Sequence, residues 1–256
     1  SKFGFTLDTG AAESAVQAAL SCAHLHLLGL HCHIGSQIFE LKPFELAAEV
    51  MLEFMAKLHE KYGAEFEELD LGGGFGIKYV QRHDPIAYDE YMHRVSHTIK
   101  DCCARLNLRL PRILIEPGRS IVASAGITLY TVGSVKEIPG VRTYVAVDGG
   151  MADNPRYSLY QADYDAVIAD RAAQPREKIV TIAGRCCETD LLQEGIAIQE
   201  AKAGDTLAIL ATGAYNYSMA SNYNRLPRPA VVMVKDAVPR VIVKRESMEQ
   251  LLANDL

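Results

Sequence analysis

Residues 25–36 read Leu25-His26-Leu27-Leu28-Gly29-Leu30-His31-Cys32-His33-Ile34-Gly35-Ser36. An apolar run up to His33 gives way to a small turn and a hydroxyl, the pattern of a buried strand with a loop at its carboxyl end. The same pattern recurs twice. Phe66 to Leu71 leads into Gly72-Gly73-Gly74-Phe75-Gly76, and Arg112 to Ile115 leads into Glu116-Pro117-Gly118-Arg119. About forty residues separate one loop from the next, the span of a strand, a loop, a helix and a return turn.

The intervals carry helical signals. Pro43 fits a first turn, Ala47, Val50, Met51, Phe54 and Leu58 recur at helical spacing, and Gly63 fits the stop. Asp84-Pro85 reads as the cap and first residue of a second helix striped by Tyr88, Tyr91, Met92, Val95, Ile99 and Leu106. Strands alternating with helices give an α/β fold with parallel pairing. Functional groups at successive strand ends suit one face of a (β/α)8 barrel.

Near Gly126 the pattern changes to β-branched runs: Ile127 to Val135, Val141 to Val147, Lys178 to Ala183, Thr206 to Leu210, Ala230 to Val234 and Val241 to Val243. The expected organisation is the C-terminal portion of a barrel over residues 1–126 and a mainly β domain over 127–256. Tyr157 to Ala173 is expected to hold a helix, and Glu246 to Asn254 a short terminal one. Three parallel strands leave open edges, which closed barrels avoid. The earlier part of the barrel is therefore expected to lie outside this sequence, and the chain alone is expected to associate through its edges.

The chain has 256 residues, 49% hydrophobic and 23% charged, with a net charge of −6. That balance is ordinary for a globular protein and argues against nucleic acid as a main partner. No apolar run is long enough for a membrane span, and no secretory signal is visible. Cys22, Cys32, Cys102, Cys103, Cys186 and Cys187 include two adjacent pairs, which suit reduced thiols in the cytoplasm better than a disulfide framework. His24 and His26 are expected on one face of the first strand. No paired cysteines follow at zinc-ligand spacing, so no metal is expected.

Each loop carries chemistry and also admits a plainer reading. His33 could lie flat on an aromatic ring while Ser36 binds phosphate, or it could be a satisfied core histidine. Gly72, Gly73 and Gly74 could offer amides to an anion or simply make a tight turn. Glu116 at a strand end wants a partner, which a protonated ring nitrogen or Arg119 would supply. Cys187 beside Glu188 could deliver a proton, and buried cysteine as a small hydrophobe is the alternative. Tyr215, Tyr217 and Tyr223 lie on a glycine-opened stretch, where aromatic packing is the simpler account.

In this order the segments resemble the fold-type III pyridoxal-phosphate-dependent decarboxylases. His31-Cys32-His33-Ile34-Gly35-Ser36-Gln37, Val147-Asp148-Gly149-Gly150-Met151, Asn154-Pro155-Arg156 and Tyr217-Ser218-Met219-Ala220-Ser221-Asn222-Tyr223-Asn224 extend the likeness over essentially the whole chain. The resemblance implies an alanine-racemase-like barrel followed by a β domain, in a homodimer with shared active sites. It implies pyridoxal 5'-phosphate stacked on His33, with Glu116 at its ring nitrogen. Ser36, Gly72, Gly73, Gly74, Pro117, Gly118, Arg119 and Tyr215 would surround the cofactor. Arg119, Arg156, Tyr160, Tyr215 and Glu188 would hold a small amino-acid substrate with a second, distal carboxylate. Cys187 would be the proton donor, delivered with Glu188 from the partner subunit.

Two departures accompany the likeness. The family's Cys-Glu-Ser-Gly-Asp runs here as Cys187-Glu188-Thr189-Asp190, one residue shorter. The family's cofactor-tethering (Schiff-base) lysine, in an apolar-Lys-Ala-Asn setting, has no counterpart among these lysines, so the chain by itself is expected to be inactive. The alternatives are a decarboxylase of ornithine, arginine or carboxynorspermidine, or a non-catalytic pyridoxal-phosphate-binding protein.

Overall fold

The computed structural model describes residues 2–256. The chain forms two compact units. One runs to Gly76 and resumes over Asp84–Gly118; the other takes Ile77–His83 and Arg119–Leu256.

The first unit holds a three-stranded parallel sheet in the order β1 (Gly29–His31), β2 (Glu68–Asp70), β3 (Arg112–Leu114). Leu30 pairs with Leu69, and Leu69 with Ile113. The crossovers are α2 (Lys42–Tyr62) and α3 (Tyr88–Leu106), with α1 (Ala11–Leu20) ahead of them. This is the α/β arrangement that the loop spacing predicts. Gly63 ends α2 at φ 64°, donating to the His59 carbonyl at 2.8 Å. Asn107 ends α3 in the same left-handed conformation.

Several local expectations are corrected. The first strand is only three residues long, and His24 and His26 lie exposed before it. The buried face of α2 is Phe44, Ala48, Met51, Leu52, Met55 and Leu58, and Val50 is exposed. Phe44 fixes that rotation by stacking on Phe75 at 5.5 Å and meeting Tyr91 edge-on at 5.0 Å. Helix α3 starts at Tyr88, since Ala87 is still extended, and Asp84-Pro85 lies before it. Cys102 and Cys103 are buried on α3 with Tyr91, Val95 and Ile99, whereas Tyr88 and Met92 are exposed. Among the described residues all six cysteines are free thiols.

The second unit is built on a six-stranded sheet, in the order β6 (Ala166–Ile168), β9 (Thr206–Ile209), β4 (Thr128–Ile138), β5 (Arg142–Val147), β7 (Lys178–Ala183), β8 (Leu191–Ile198). Its end strands β6 and β8 also approach each other, so the sheet curls into a nearly closed barrel. All pairings are antiparallel except β5 with β7. The core holds Val132, Val145, Ile168, Ile182, Leu192, Ile198, Leu207 and Ile209, together with Ile77 and Tyr79 from the excursion. A hairpin of β10 (Val231–Lys235) and β11 (Val238–Val243) follows, then α6 (Met248–Leu251), capped reciprocally by Ser247 and Gln250. A four-residue α4 (Arg119–Val122) begins the unit's longer segment.

The helix expected over Tyr157 to Ala173 is only α5 (Arg156–Tyr160). Gln161 stops it at φ 52°, and the rest of that stretch supplies β6. Among the described residues no helix is long and apolar enough to cross a membrane.

Candidate active site

In the first unit the chemistry collects at the carboxyl ends of the three parallel strands. His31 closes β1, Asp70 closes β2 directly opposite it, and Glu116 lies two residues beyond β3. The His31 Nε2 stands 3.2 Å from Glu116 Oε2, with both side chains about half exposed. With Asp70 they form the one cluster of three possible metal ligands among the described residues, their ligating atoms within 4.8 Å of one another. Cys32 turns inward instead, and burial pushes its thiol up to about 11, which leaves it inert as a nucleophile.

The glycine loop is a packing device before it is a cradle. Gly72 sits at φ 69°, and a Cβ there would lie 2.6 Å from the Cys32 carbonyl oxygen. At Gly73 a Cβ would run into the Glu116 carbonyl. Absence of side chains thus lets the loops after β1, β2 and β3 close on one another. Two of the amides are then committed: Gly72 donates to Asp70 Oδ1 at 2.8 Å, and Gly73 donates to His33 Nδ1 at 3.2 Å. The second bond needs the lone pair of Nδ1, so a neutral His33 carries its proton on Nε2. Gly74 is only partly buried. The Ile38 amide donates to its carbonyl at 2.9 Å, tying the first loop to the second.

In the second unit two guanidinium groups share one aromatic ring. Arg119 stands 4.8 Å from the Tyr215 ring centre and Arg156 stands 5.5 Å from it. Tyr160 flanks Arg156 at 5.8 Å, and Arg119 donates to the Tyr79 hydroxyl at 2.6 Å. Arg156 is only 8% exposed, and its buried Nε has no acceptor among the described residues. Two cations around a ring, one of them deeply buried, favour an anionic ligand. Beside them Tyr164 is pushed up to about 12 by burial, so it stays a neutral phenol 3.2 Å from the Asn216 amide.

The loop after β7 carries the third group. Cys187 is exposed, and Glu188 takes hydrogen bonds from Tyr223 and from Asn224, the latter at 3.4 Å. The Tyr223 hydroxyl leads in holding the Glu188 carboxyl below the usual carboxylate range. Burial lifts the neighbouring Cys186 thiol.

The sequence-predicted residues thus fall into groups: His33, Gly72, Gly73, Gly74 and Glu116 together in one unit, Arg119, Arg156, Tyr160 and Tyr215 together in the other, with Cys187 and Glu188 on their own loop. Ser36 lies on the loop after β1, and Pro117 and Gly118 follow Glu116 in the chain. Sequence reasoning missed His31, Asp70, Tyr79 and Tyr164 as parts of these groups. Asp70 and His31 could have been found from their position at strand ends, but nothing local marks Tyr79.

A parallel βα sheet with imidazole, glycine turn and carboxylate at its strand ends, joined in the chain to a β-barrel unit, defines a class. Residues 1–123 match the pyridoxal-binding domain of the pyridoxal-dependent decarboxylases. The whole chain is also similar to diaminopimelate decarboxylases. It is 50% identical over 257 aligned positions to the Bacillus subtilis (strain 168) diaminopimelate decarboxylase, covering 100% of this chain and 58% of that protein. The Staphylococcus aureus (strain COL) enzyme is 43% identical, with 100% and 60% covered. A crystal structure of the M. jannaschii diaminopimelate decarboxylase in complex with L-lysine superposes with a TM-score of 0.91 at 33% identity, over 100% of this chain and 58% of that one. The chain therefore spans about three fifths of the length of the curated relatives it matches.

Proposed function

We propose that this chain contributes the greater part of a diaminopimelate decarboxylase, which removes the carboxylate from one end of meso-2,6-diaminopimelate to give L-lysine. The observation that carries the reading is the triad of His33, Gly73 and Glu116, held together by one hydrogen bond and one close backbone approach. It presents a flat ring and a carboxylate from the two strands that flank β2. Those are the groups that a phosphate-bearing pyridine asks for, and the paired guanidiniums suit anionic groups.

Bound pyridoxal phosphate supplies an electron sink for the pair left behind when carbon dioxide departs. The chain's own residues do the rest. Glu116 keeps a proton on the ring nitrogen, and His31 steadies that carboxylate. His33 would meet the ring face, its Nδ1 held by the Gly73 amide. Ser36, Gly74 and Gly118 would take the phosphate, while Gly72, Gly73 and Pro117 shape the loops; Arg119 and Tyr215 suit an anionic group. Arg119, Arg156, Tyr160 and Tyr215 orient the distal carboxylate, with Glu188 toward its ammonium. Cys187 delivers a proton to the carbon that lost its carboxylate, from the partner subunit of a homodimer. The setting is cytoplasmic.

The test is carbon dioxide release from meso-2,6-diaminopimelate against L-ornithine, in the protein completed to the length of its relatives and supplied with pyridoxal phosphate. A carboxylate-binding site left unpaired by ornithine should favour diaminopimelate by about 10⁴. Equal turnover of the two, or a preference for ornithine, overturns the substrate.

A further inference from the structure

The short loop Cys187–Asp190 ends on a buried acid. Asp190 is 3% exposed, and both its carboxylate oxygens and its own peptide groups are bonded to main chain. Its Oδ1 accepts the Met151 amide at 2.6 Å and its Oδ2 accepts the Cys186 amide at 2.9 Å. Its own amide donates to the Glu188 carbonyl at 2.6 Å, and its carbonyl accepts the Gly184 amide at 2.7 Å. Alongside, the Arg185 amide donates to the Gly149 carbonyl at 3.1 Å.

Burying a carboxylate is costly unless its lone pairs are taken, and backbone donors to a charged acceptor are among the stronger hydrogen bonds. One oxygen serves the turn 149–151 and the other serves the loop 184–189, so the carboxylate is a clip between them. The backbone has made room for it: a Cβ at either Gly150 or Gly184 would run into this carboxylate. The loop closes tightly from Asp190 back to Glu188.

We propose that Asp190 is a positioning residue, whose carboxylate fixes the course of the loop and hence the direction in which Cys187 and Glu188 project. The proposal rests on the reading above that those two side chains serve the reaction. Asp190 itself reaches the chemistry only through them.

The experiment is Asp190→Asn, which keeps the shape but sets an NH2 group against one of the two amide donors. Loss of one charge-assisted bond predicts about tenfold faster hydrogen exchange at the Met151 and Cys186 amides. Exchange in β7 at Val180 and Ile182 should be unchanged. The rate of Cys187 alkylation by iodoacetamide, mapped by mass spectrometry, should shift by about fivefold or more as the loop is released. In the completed enzyme the variant should lower kcat with KM little changed, and add nothing in a Cys187→Ala background.

Unaltered exchange and alkylation would overturn the proposal, as would a full additive loss in the Cys187→Ala background. If Cys187→Ala alone leaves turnover intact, the assignment of Cys187 fails, while exchange and alkylation still decide the role of Asp190. Should the asparagine variant not fold, Asp190→Ser removes the charge, leaves space for water at both amides and carries the same readouts.

Discussion

His31 Nε2 lies 3.2 Å from Glu116 Oε2, bridging the ends of β1 and β3 across the sheet. Both side chains are about half exposed, so the pair is worth at most about 1 kcal/mol, roughly fivefold in an affinity that depends on Glu116 orientation. His31→Ala is expected to weaken pyridoxal phosphate binding by about that factor, read by fluorescence titration. Glu116→Gln should cost more. Unchanged affinity in both variants would remove Glu116 from the ring nitrogen.

Helix α1 is fastened to the end of α2 by one carboxylate. Glu13 takes Lys57 at 2.6 Å, Lys61, and the Tyr62 hydroxyl at 2.8 Å, which together lower its pKa from 4.5 to about 2. Because the folded value is depressed, the stabilisation is complete above 4.5 and is lost as pH falls toward 2. Amide exchange in α1, after correction for its intrinsic pH dependence, should accelerate over that window. In Glu13→Gln the same amides should exchange faster at neutral pH and lose this acid-dependent step.

Gly73→Ala places a methyl against the Glu116 carbonyl, where the backbone has no flexible end to yield. A loss of about 1 to 3 kcal/mol is expected from overpacking. The measurement is a denaturant midpoint, and an unshifted midpoint would mean that the loops after β2 and β3 are less tightly joined than described.

Arg156→Met retains length and removes a buried charge. Stability should be unchanged or raised, since apolar replacement of a buried ion is commonly neutral or favourable. Recognition should suffer: losing a buried charged contact costs about 2 to 5 kcal/mol, hence at least a roughly thirtyfold rise in KM for diaminopimelate. A KM within twofold of the parent would take Arg156 out of substrate binding.

Element type was readable wherever one strong period ran uninterrupted. β7 falls on Lys178–Ala183, the expected stretch, and α2 carries Pro43 in its first turn and stops at Gly63 as expected. Failures trace to particular residues. In β8 the trio Gln193, Glu194 and Gly195 breaks the apolar run into short pieces, and Gln193 is polar inside because it accepts the Tyr164 amide. β6 is three residues long and hides in an apolar stretch that also suits a helix; only the left-handed Gln161 separates them. The triple glycine was legible as a special backbone, but whether it frees amides or admits neighbouring loops depends on contacts some forty residues away in the chain. For the same reason Asp190 was invisible as a clip: its partner Met151 lies 39 residues away in the chain.

The excursion Ile77–His83 has a consequence for how this protein can be dissected. Ile77 and Tyr79 belong to the core of the later unit, and Tyr79 meets Tyr164 edge-on at 5.1 Å. A fragment starting at Arg119 would be a barrel with a plug pulled out, leaving Tyr164 beside a void and Arg119 without its phenol acceptor. No single scission yields either unit whole. Recombination with a related protein would have to exchange three junctions together, so neither unit is a single exchangeable segment of chain.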